Sequence, residues 1–152
     1  MGQESNMEIR KAVNKDICRI AEIKIFNYRL NFYPIFKSDD YYFNELSVEN
    51  LYDEINKQID SYYVYDDGVV KGYIQVIGNE LKQLFVEPVL QNNNIGQKLL
   101  IYAIKNLDAN YLYALEKNVR AIKFYIKNGF ILTNEKVLEE DTSEYLVKMI
   151  YK

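Results

Sequence analysis

The chain of 152 residues has no histidine, no tryptophan and a single cysteine, Cys18. The absence of histidine excludes Ser-His-Asp and Cys-His catalysis as well as histidine-ligated zinc. A lone cysteine allows neither an intramolecular disulfide nor a cysteine metal cluster, and we expect no metal site. Because Cys18 stands among Ile17, Ile20 and Ala21, we expect it to be a buried packing residue. Acid–base chemistry must therefore use carboxylates, tyrosine, lysine or water.

Long apolar segments and a strong charge of one sign are also absent. No run approaches the roughly 18 residues of a membrane span, and the N-terminal residues lack the apolar core of a signal peptide. The 19 basic and 22 acidic residues give a net charge of −3, which argues against a general nucleic-acid binder. The length and the 49% of hydrophobic residues predict one domain over residues 1–152. We expect a cytoplasmic protein with neither a membrane nor a nucleic-acid partner.

The hydrophobic pattern changes between a helical and a strand period along the chain. It predicts strands at residues 8–13, 61–65, 69–77, 80–87, 111–115, 130–137 and 144–151. It predicts helices at residues 15–29, 95–107 and 119–128, and one more after Ser47, with Asn14 and Ser47 as N-caps. The aromatic stretch 30–42, which contains Pro34, is expected to be irregular. This order of elements predicts an α+β domain with a mixed sheet.

Residues 84–100 carry the clearest functional signal. A buried strand runs into the polar loop 91–94, and this loop opens directly onto the helix at 95–107. Such a junction directs unpaired backbone N–H groups and the positive end of a helix at one point, which suits a phosphate or pyrophosphate. Taken alone, the loop also fits ordinary helix capping. It matches neither the Walker A pattern nor the Gly-x-Gly-x-x-Gly fingerprint.

Two motifs in the second half of the chain resemble the GCN5-related N-acetyltransferase (GNAT) superfamily. The family's Gln/Arg-x-x-Gly-x-Gly/Ala motif aligns with residues 91–96, and the preceding residues 86–88 read Val-Glu-Pro. Asn94 stands where the first glycine is usual, and asparagine tolerates a positive φ better than other residues with a side chain. Residues 118–130 fit the family's Asn-x-x-Ala-x-x-Phe-Tyr-x-x-x-Gly-Phe pattern at every anchor.

The resemblance implies the fold and the co-substrate. The GNAT fold has a mixed, mostly antiparallel sheet of about seven strands, two splayed parallel central strands and about four flanking helices. Acetyl-CoA would lie between the splayed strands, here 81–87 and 111–115, with its pantetheine arm paired to Leu84, Phe85 and Val86. Its pyrophosphate would lie on the loop and the helix start, and the side chain of Asn118 would also contact the cofactor. The predicted phosphate-side residues are Asn92, Asn93, Asn94, Ile95, Gly96, Gln97 and Lys98.

The resemblance also implies an N-acetyltransferase in which a primary amine attacks acetyl-CoA directly. Tyr125 matches the residue that protonates the departing CoA thiolate, a transfer from a pKa of about 10 to one of about 8.5. A backbone N–H near Val86 would polarise the thioester carbonyl. The group that takes the amine proton is open between Glu87, Tyr113, Glu116 and a chain of water molecules.

Charge and aromatic residues indicate where the acceptor would bind. Residues 91–128 contain six basic and two acidic residues, whereas residues 38–67 contain nine acidic residues and one basic residue. This asymmetry predicts an amine-bearing cationic acceptor, either a small molecule or a peptide. The aromatic segment that includes Tyr28, Phe32 and Tyr33 either lines the acceptor pocket or forms the surface of a homodimer. The alternative function is a non-catalytic acyl-CoA-binding or regulatory module with the same fold.

Overall fold

The computed structural model describes residues 7–91 and 93–152, and seven strands form one sheet within them. The strands are β1 (Glu8–Lys11), β2 (Tyr62–Asp66), β3 (Val70–Ile77), β4 (Glu80–Val86), β5 (Tyr111–Leu115), β6 (Phe130–Leu138) and β7 (Tyr145–Tyr151). Their order across the sheet is β1-β2-β3-β4-β5-β7-β6. Every neighbouring pair is antiparallel except β4 and β5, which run parallel. The predicted mixed sheet is confirmed.

Within the described part of the chain, five α-helices flank the sheet. They are α1 (Ile17–Asn31), α2 (Tyr33–Phe36), α3 (Val48–Lys57), α4 (Ile95–Leu107) and α5 (Val119–Lys127). The predicted cap of α3 is confirmed, because the Ser47 hydroxyl accepts a hydrogen bond from the Asn50 amide at 3.1 Å. None of these helices, and no other helix of the described residues, is long and apolar enough to cross a membrane.

The parallel strands β4 and β5 pair over a short distance and then separate. Their register consists of two pairs, Glu80 with Tyr111 and Leu81 with Leu112. Beyond these residues each strand keeps its antiparallel partner on the outer side, β3 for β4 and β7 for β5. The result is a cleft that opens toward the C-terminal ends of β4 and β5, at the end of the sheet where α4 begins.

The hydrophobic core has one part on each face of the sheet. Successive side chains of a strand point to opposite faces, and Tyr73 and Ile74 of β3 show this division. Tyr73 packs in the cluster under α1 and α3, while Ile74 packs in the cluster under α4. The partly buried rings of Phe124 and Tyr125 on α5 pack against the second cluster. The strand β4 contributes to both clusters, and β5 packs in the cluster under α4 through Leu112 and Ala114.

The N-terminus of α1 differs from the prediction. Asn14 begins a 3₁₀ turn that ends at Asp16, and the Asp16 carboxylate accepts a hydrogen bond from the Val13 amide at 2.8 Å. The prediction of Asn14 as the N-cap is therefore wrong: Asp16 occupies the N-cap position of α1 without a side-chain bond to the helix, and its carboxylate instead completes the capping box of the 3₁₀ turn. The expectation of a buried Cys18 is also wrong, because this residue is exposed. It lies one position after the buried Ile17, so it points about 100° away from the packed stripe of the helix.

Residues 30–42 are more regular than predicted. The helix α1 continues to Asn31, α2 follows, and a π-helical turn extends from Tyr41 to Glu45. Pro34 lies in the first turn of α2, where its missing N–H costs no hydrogen bond. Lys37 ends α2 in the left-handed conformation, with φ of 55°. Aromatic packing therefore organises a segment for which the sequence offers no long periodic pattern.

Candidate active site

The separation of β4 and β5 creates a cleft of about 1050 Å³. Its floor is formed by β4 and β5, and α5 with its N-cap contributes Asn118, Ala121 and Tyr125. One wall comes from α1, α2 and the π-helical turn, and the other from the turn between β6 and β7 at residues 139–144. The strand β4, the second sequence motif and the aromatic segment thus meet at one site.

The edge of β4 that faces the cleft has free backbone groups. The Glu87 amide donates to the Lys71 carbonyl next to β3 at 2.9 Å, so backbone groups at alternating positions turn toward β3. Leu84 and Val86 have the opposite parity, and their N–H and C=O groups point toward β5, where no strand lies alongside. This edge has the geometry that an added extended chain needs, which supports the predicted contact with a pantetheine arm.

A buried asparagine on α1, which the sequence analysis missed, holds this edge. Asn27 is 2% exposed, and its Nδ2 donates to the backbone oxygens of Val86 and Ile23, each at 2.9 Å. Its Oδ1 accepts from Nε2 of Gln91 at 3.2 Å. The Val86 oxygen is therefore occupied, whereas the Val86 N–H faces the cleft. The sequence signal was the helical stripe through Ile17, Ile20 and Lys24, which continues to position 27.

The loop before α4 presents a set of free amides. Asn94 is left-handed, with φ of 63°, the conformation for which glycine is usual at this position of the motif. The first backbone bond of the helix runs from the Lys98 amide to the Asn94 carbonyl at 3.0 Å. No side chain among the described residues caps the preceding amides of Ile95, Gly96 and Gln97. These three N–H groups can bind an anion at the positive end of the helix.

The other residues predicted for the phosphate site have structural contacts of their own. The Asn93 side chain donates to the Leu90 carbonyl at 3.2 Å, and Gln97 Nε2 donates to Asn128 Oδ1 at 3.0 Å. The second contact ties the start of α4 to the end of α5. Asn92 lies outside the described residues.

Asn118 is the N-cap residue of α5, and Tyr125 lies in the last turn of this helix. The Tyr125 ring lies edge-on to Phe124 and Phe130, with centroid distances of 5.3 and 5.7 Å. Burial raises the pKa of the Tyr125 phenol above its ordinary value, so the phenol keeps its proton at neutral pH. Its hydroxyl has no hydrogen-bond partner in the part of the chain that is described. Asn118 Oδ1 caps α5 by accepting from the Ala121 amide at 3.3 Å, which leaves the Nδ2 group for a ligand.

The aromatic wall contains two of the three residues predicted for the acceptor. Tyr28 and Phe32 line the cleft and contact Phe85 of β4 edge-to-face, at centroid distances of 5.7 and 6.4 Å. Tyr33 lies outside the cleft lining, which corrects its predicted position. Its hydroxyl donates to Asp39 Oδ1 at 2.5 Å, and its ring packs against Tyr42 at 5.8 Å. Tyr33 supports the wall from behind.

Of the three residues predicted as proton acceptors, only Tyr113 lines the cleft. Glu87 forms an ion pair with Arg19 at 2.8 Å and is not part of the cleft lining, which argues against its predicted role as the base. Glu116 is also outside the lining and pairs with Lys136 at 2.5 Å. Tyr113 lines the cleft, as does Glu80, a carboxylate that the sequence analysis did not single out.

The described residues hold no group of three or more side chains suited to a metal ion.

Comparison with known proteins gives consistent family and fold relationships. The model of the acetyltransferase (GNAT) domain matches residues 37–150. The peptidyl-lysine N-acetyltransferase YjaB of Salmonella typhimurium is 27% identical over 89 residues. That alignment covers 58% of this chain and 61% of YjaB, so the chain spans less than two thirds of this curated relative.

Among solved structures, the PaiA N-acetyltransferase of Thermoplasma acidophilum in complex with coenzyme A has a TM-score of 0.70 at 24% identity, covering 96% of this chain and 99% of PaiA. The solution structure of apo YjaB from Escherichia coli has a TM-score of 0.72 at 18% identity, covering 95% and 97% of the two chains. A spermidine N-acetyltransferase SpeG variant from Vibrio cholerae has a TM-score of 0.64 at 17% identity, covering 96% and 93%. The chain belongs to the GNAT acetyltransferase family, whose members are acyltransferases that use acetyl-CoA.

Proposed function

We propose that this chain transfers the acetyl group of acetyl-CoA to a primary amine by direct attack. The observation that carries the proposal is the placement of three features: the free edge of β4 and the phenol of Tyr125 lie at one cleft, and the uncapped amides of α4 begin beside the end of β4, where a Cβ at Gly96 would contact Leu84 and Val86. The free edge and the amides suit an extended arm that ends in a pyrophosphate. The phenol is a proton donor on the opposite side of the gap between the strands.

The residues fit acetyl-CoA, which would supply the activated acetyl thioester. Leu84 would hold the pantetheine arm through its backbone N–H and C=O, and the amides of residues 95–97 would hold the pyrophosphate. The Val86 N–H is free to donate to the thioester oxygen and to stabilise the negative charge that develops there. The amine nitrogen forms a bond to the acetyl carbon as the bond from that carbon to sulfur breaks. The amine proton would pass to a water molecule in the cleft, the sulfur would gain a proton from Tyr125 Oη, and solvent would return a proton to Tyr125 once CoA has left.

The raised pKa of Tyr125 is compatible with its proposed role. A phenol with a raised pKa is a weaker acid, so transfer to an ordinary thiolate would be more strongly uphill than the reference values indicate. The thiolate would be generated in the same desolvated part of the cleft, where its own pKa rises for the same reason. Desolvation therefore acts on donor and acceptor in the same direction, and proton transfer remains accessible.

Two measurements test the proposal in sequence. Calorimetric titration with acetyl-CoA should show binding, and absence of binding at high micromolar concentrations would overturn the cofactor assignment. A panel of amines, amino acids and short peptides is then assayed by release of free CoA. Binding without amine-dependent CoA release would overturn the transfer reaction and support the binding module instead. The observation behind that second candidate is the Asn94 side chain in the phosphate loop.

A further inference from the structure

The outer end of the cleft combines acidic residues with tyrosine rings. The turn between β6 and β7 places Glu139, Glu140 and Asp141 on the lining, and Glu45 of the π-helical turn lies on the facing wall. None of these four carboxylates forms an ion pair within residues 7–91 and 93–152. The two other acids of the lining do, since Glu80 pairs with Lys82 at 3.7 Å and Glu144 with Lys117 at 3.1 Å.

Glu139 faces the tyrosines of the opposite wall. Its negative charge contributes to raising the pKa of Tyr28, Tyr41 and Tyr42, although burial is the larger cause for all three. For Tyr42 the combined effect raises the pKa to about 12. Glu139 and the three tyrosines all line the same cleft, the acid on the turn between β6 and β7 and the rings on the facing wall. The charge on the turn between β6 and β7 thus acts on the tyrosine hydroxyls of the aromatic wall.

Tyr42 provides a second polar group that a ligand in the cleft could contact. Its side chain lines the cleft although the residue is only 4% exposed, and its hydroxyl has no hydrogen-bond partner among the residues described. Its neighbours hold the ring in place, with Tyr33 at 5.8 Å and Tyr41 at 4.9 Å between centroids. The oxygen itself is open to the cleft, since no fully buried side-chain oxygen of the described residues lacks a partner. A group that donates to this oxygen, or accepts from it, would complete the site.

We infer that the acceptor is a diamine, whose second ammonium group binds between Glu139 and Tyr42 while its first amine is acetylated. This inference rests on the proposed function. An ammonium group donates three hydrogen bonds, which matches a carboxylate and a phenol oxygen, and the ring of Tyr41 provides a negative face for it. The Tyr28 ring already has the Lys24 ammonium over it, at 5.2 Å from the centroid. A carboxylate on the acceptor would meet Glu139, Glu140 and Asp141. Amino acids and acidic peptides are therefore disfavoured.

The test compares matched acceptors that differ only in the second charge. Acetylation rates are measured for 1,4-diaminobutane, 1,6-diaminohexane and 1,8-diaminooctane against n-butylamine, n-hexylamine and n-octylamine. The best diamine should have a kcat/KM at least about tenfold above that of its monoamine, the size expected for a hydrogen bond to a charged group. The advantage should decrease as salt is added. Equal kcat/KM values for diamines and monoamines would overturn the inference and leave the proposed function intact.

Variants locate the second-charge site. Glu139→Gln and Tyr42→Phe should each reduce the diamine-to-monoamine ratio of kcat/KM at least about threefold, with acetyl-CoA affinity unchanged as the check of the fold. Glu49→Gln, an exposed acid of α3 outside the cleft, is the control and should leave the ratio unchanged. A ratio that Glu139→Gln and Tyr42→Phe both leave at its original value would overturn the assignment. If no amine of any kind releases CoA, it is the proposed function that has failed.

Discussion

Asn27 on α1 donates a hydrogen bond to the backbone oxygen of Val86 on β4 at 2.9 Å, a contact between residues 59 positions apart. The same side chain receives a bond from Gln91, so it links the helix, the end of the strand and the phosphate loop. Where β5 turns away from β4, a side-chain amide of α1 replaces the missing strand at one carbonyl. The orientation of the free edge therefore depends on this residue.

Replacement of Asn27 by leucine should lower the free energy of unfolding by about 1–3 kcal/mol, because the Val86 oxygen loses its donor in a buried site. Leucine has a similar volume, so no large cavity contributes. The variant should also bind acetyl-CoA more weakly. Denaturant unfolding and calorimetry measure the two effects, with the exposed Asn56→Ala as the control. Unfolding equal to that of the parent chain would contradict the role of Asn27.

Tyr125→Phe should lower kcat by about 10–100-fold and change the dissociation constant of acetyl-CoA by less than about twofold, because only the proton donor is removed. Tyr145→Phe removes the hydroxyl of an exposed tyrosine outside the cleft and should have no effect. Both variants are assayed by CoA release with the best amine of the panel. If Tyr125→Phe turns over at the parent rate, another group protonates the thiolate.

Replacement by alanine should have opposite effects on stability at Gly72 and at Gly96. A Cβ at Gly72 would lie 3.0 Å from the Phe85 carbonyl oxygen and 3.0 Å from a methyl group of Leu99. The backbone oxygen cannot move without disturbing the β3–β4 ladder, so Gly72→Ala should cost about 1–3 kcal/mol. At Gly96 a Cβ would contact Phe124, Val86 and Leu84 at 3.6–3.8 Å.

Gly96→Ala is therefore the matched variant, and its stability should be unchanged or higher by up to about 1 kcal/mol, since alanine is the better helix former. Thermal unfolding of the two variants, followed by circular dichroism, makes the comparison. Destabilisation of Gly96→Ala to the extent of Gly72→Ala would show that α4 is seated differently from the structure.

The ion-pair cluster at the start of α1 predicts an acid-sensitive contribution to stability. Arg10 contacts Asp16 at 2.8 Å and Asp66 at 3.0 Å. Burial alone would raise the pKa of Asp16, but hydrogen bonds from Arg10 and the Val13 amide and the charge of Arg10 outweigh it, so the pKa lies below 3.8. The pKa of Asp66 is also lowered, by the Gly68 amide and by Arg10.

A carboxyl group whose native pKa is depressed stabilises the fold above its unfolded pKa of about 3.9, and this contribution is lost as the pH falls through the native value. Asp16→Asn should therefore be less stable than the parent at pH 7, and the difference should shrink below about pH 4. Urea unfolding between pH 7 and pH 3 measures it, with the exposed Asp53→Asn as the control. A difference that is constant over this range would contradict the assignment.

Local patterns made most of the fold predictable from the sequence. The bounds predicted for α4 and β5 agree with the structure, because each has a regular apolar period and clear flanking signals. The position of Asn94 in the loop was also a strong local signal, and its left-handed conformation agrees with the expectation for a glycine position. The turn at Gly78, with φ of 61°, and the end of α5 at Gly129, with φ of 100°, follow the same logic.

The parts that could not be predicted depend on contacts between distant segments. Whether Tyr33 or Tyr42 faces the cleft depends on how α2 and the π-helical turn fold over each other, and both residues lie in an aromatic stretch without a long period. The side chain of Glu87 could have faced the cleft, but Arg19 of α1 binds it elsewhere. The acidic turn at residues 139–144 appeared in the sequence as a simple connection, and only the sheet order brings it to the cleft.

Because β4 and β5 pair over only two register positions, the sheet consists of two half-sheets with a short connection between them. On one side stand β1–β4 and on the other β5–β7, and an extended molecule in the gap would act as an additional strand between the two half-sheets. Binding would then reduce the motion of the two half-sheets relative to each other, which would be measured as slower amide hydrogen exchange along β4 and β5. A ligand at 100 times its dissociation constant adds about 2.7 kcal/mol to the stability of the bound form. The bound co-substrate would thus connect the two half-sheets and stabilise the domain.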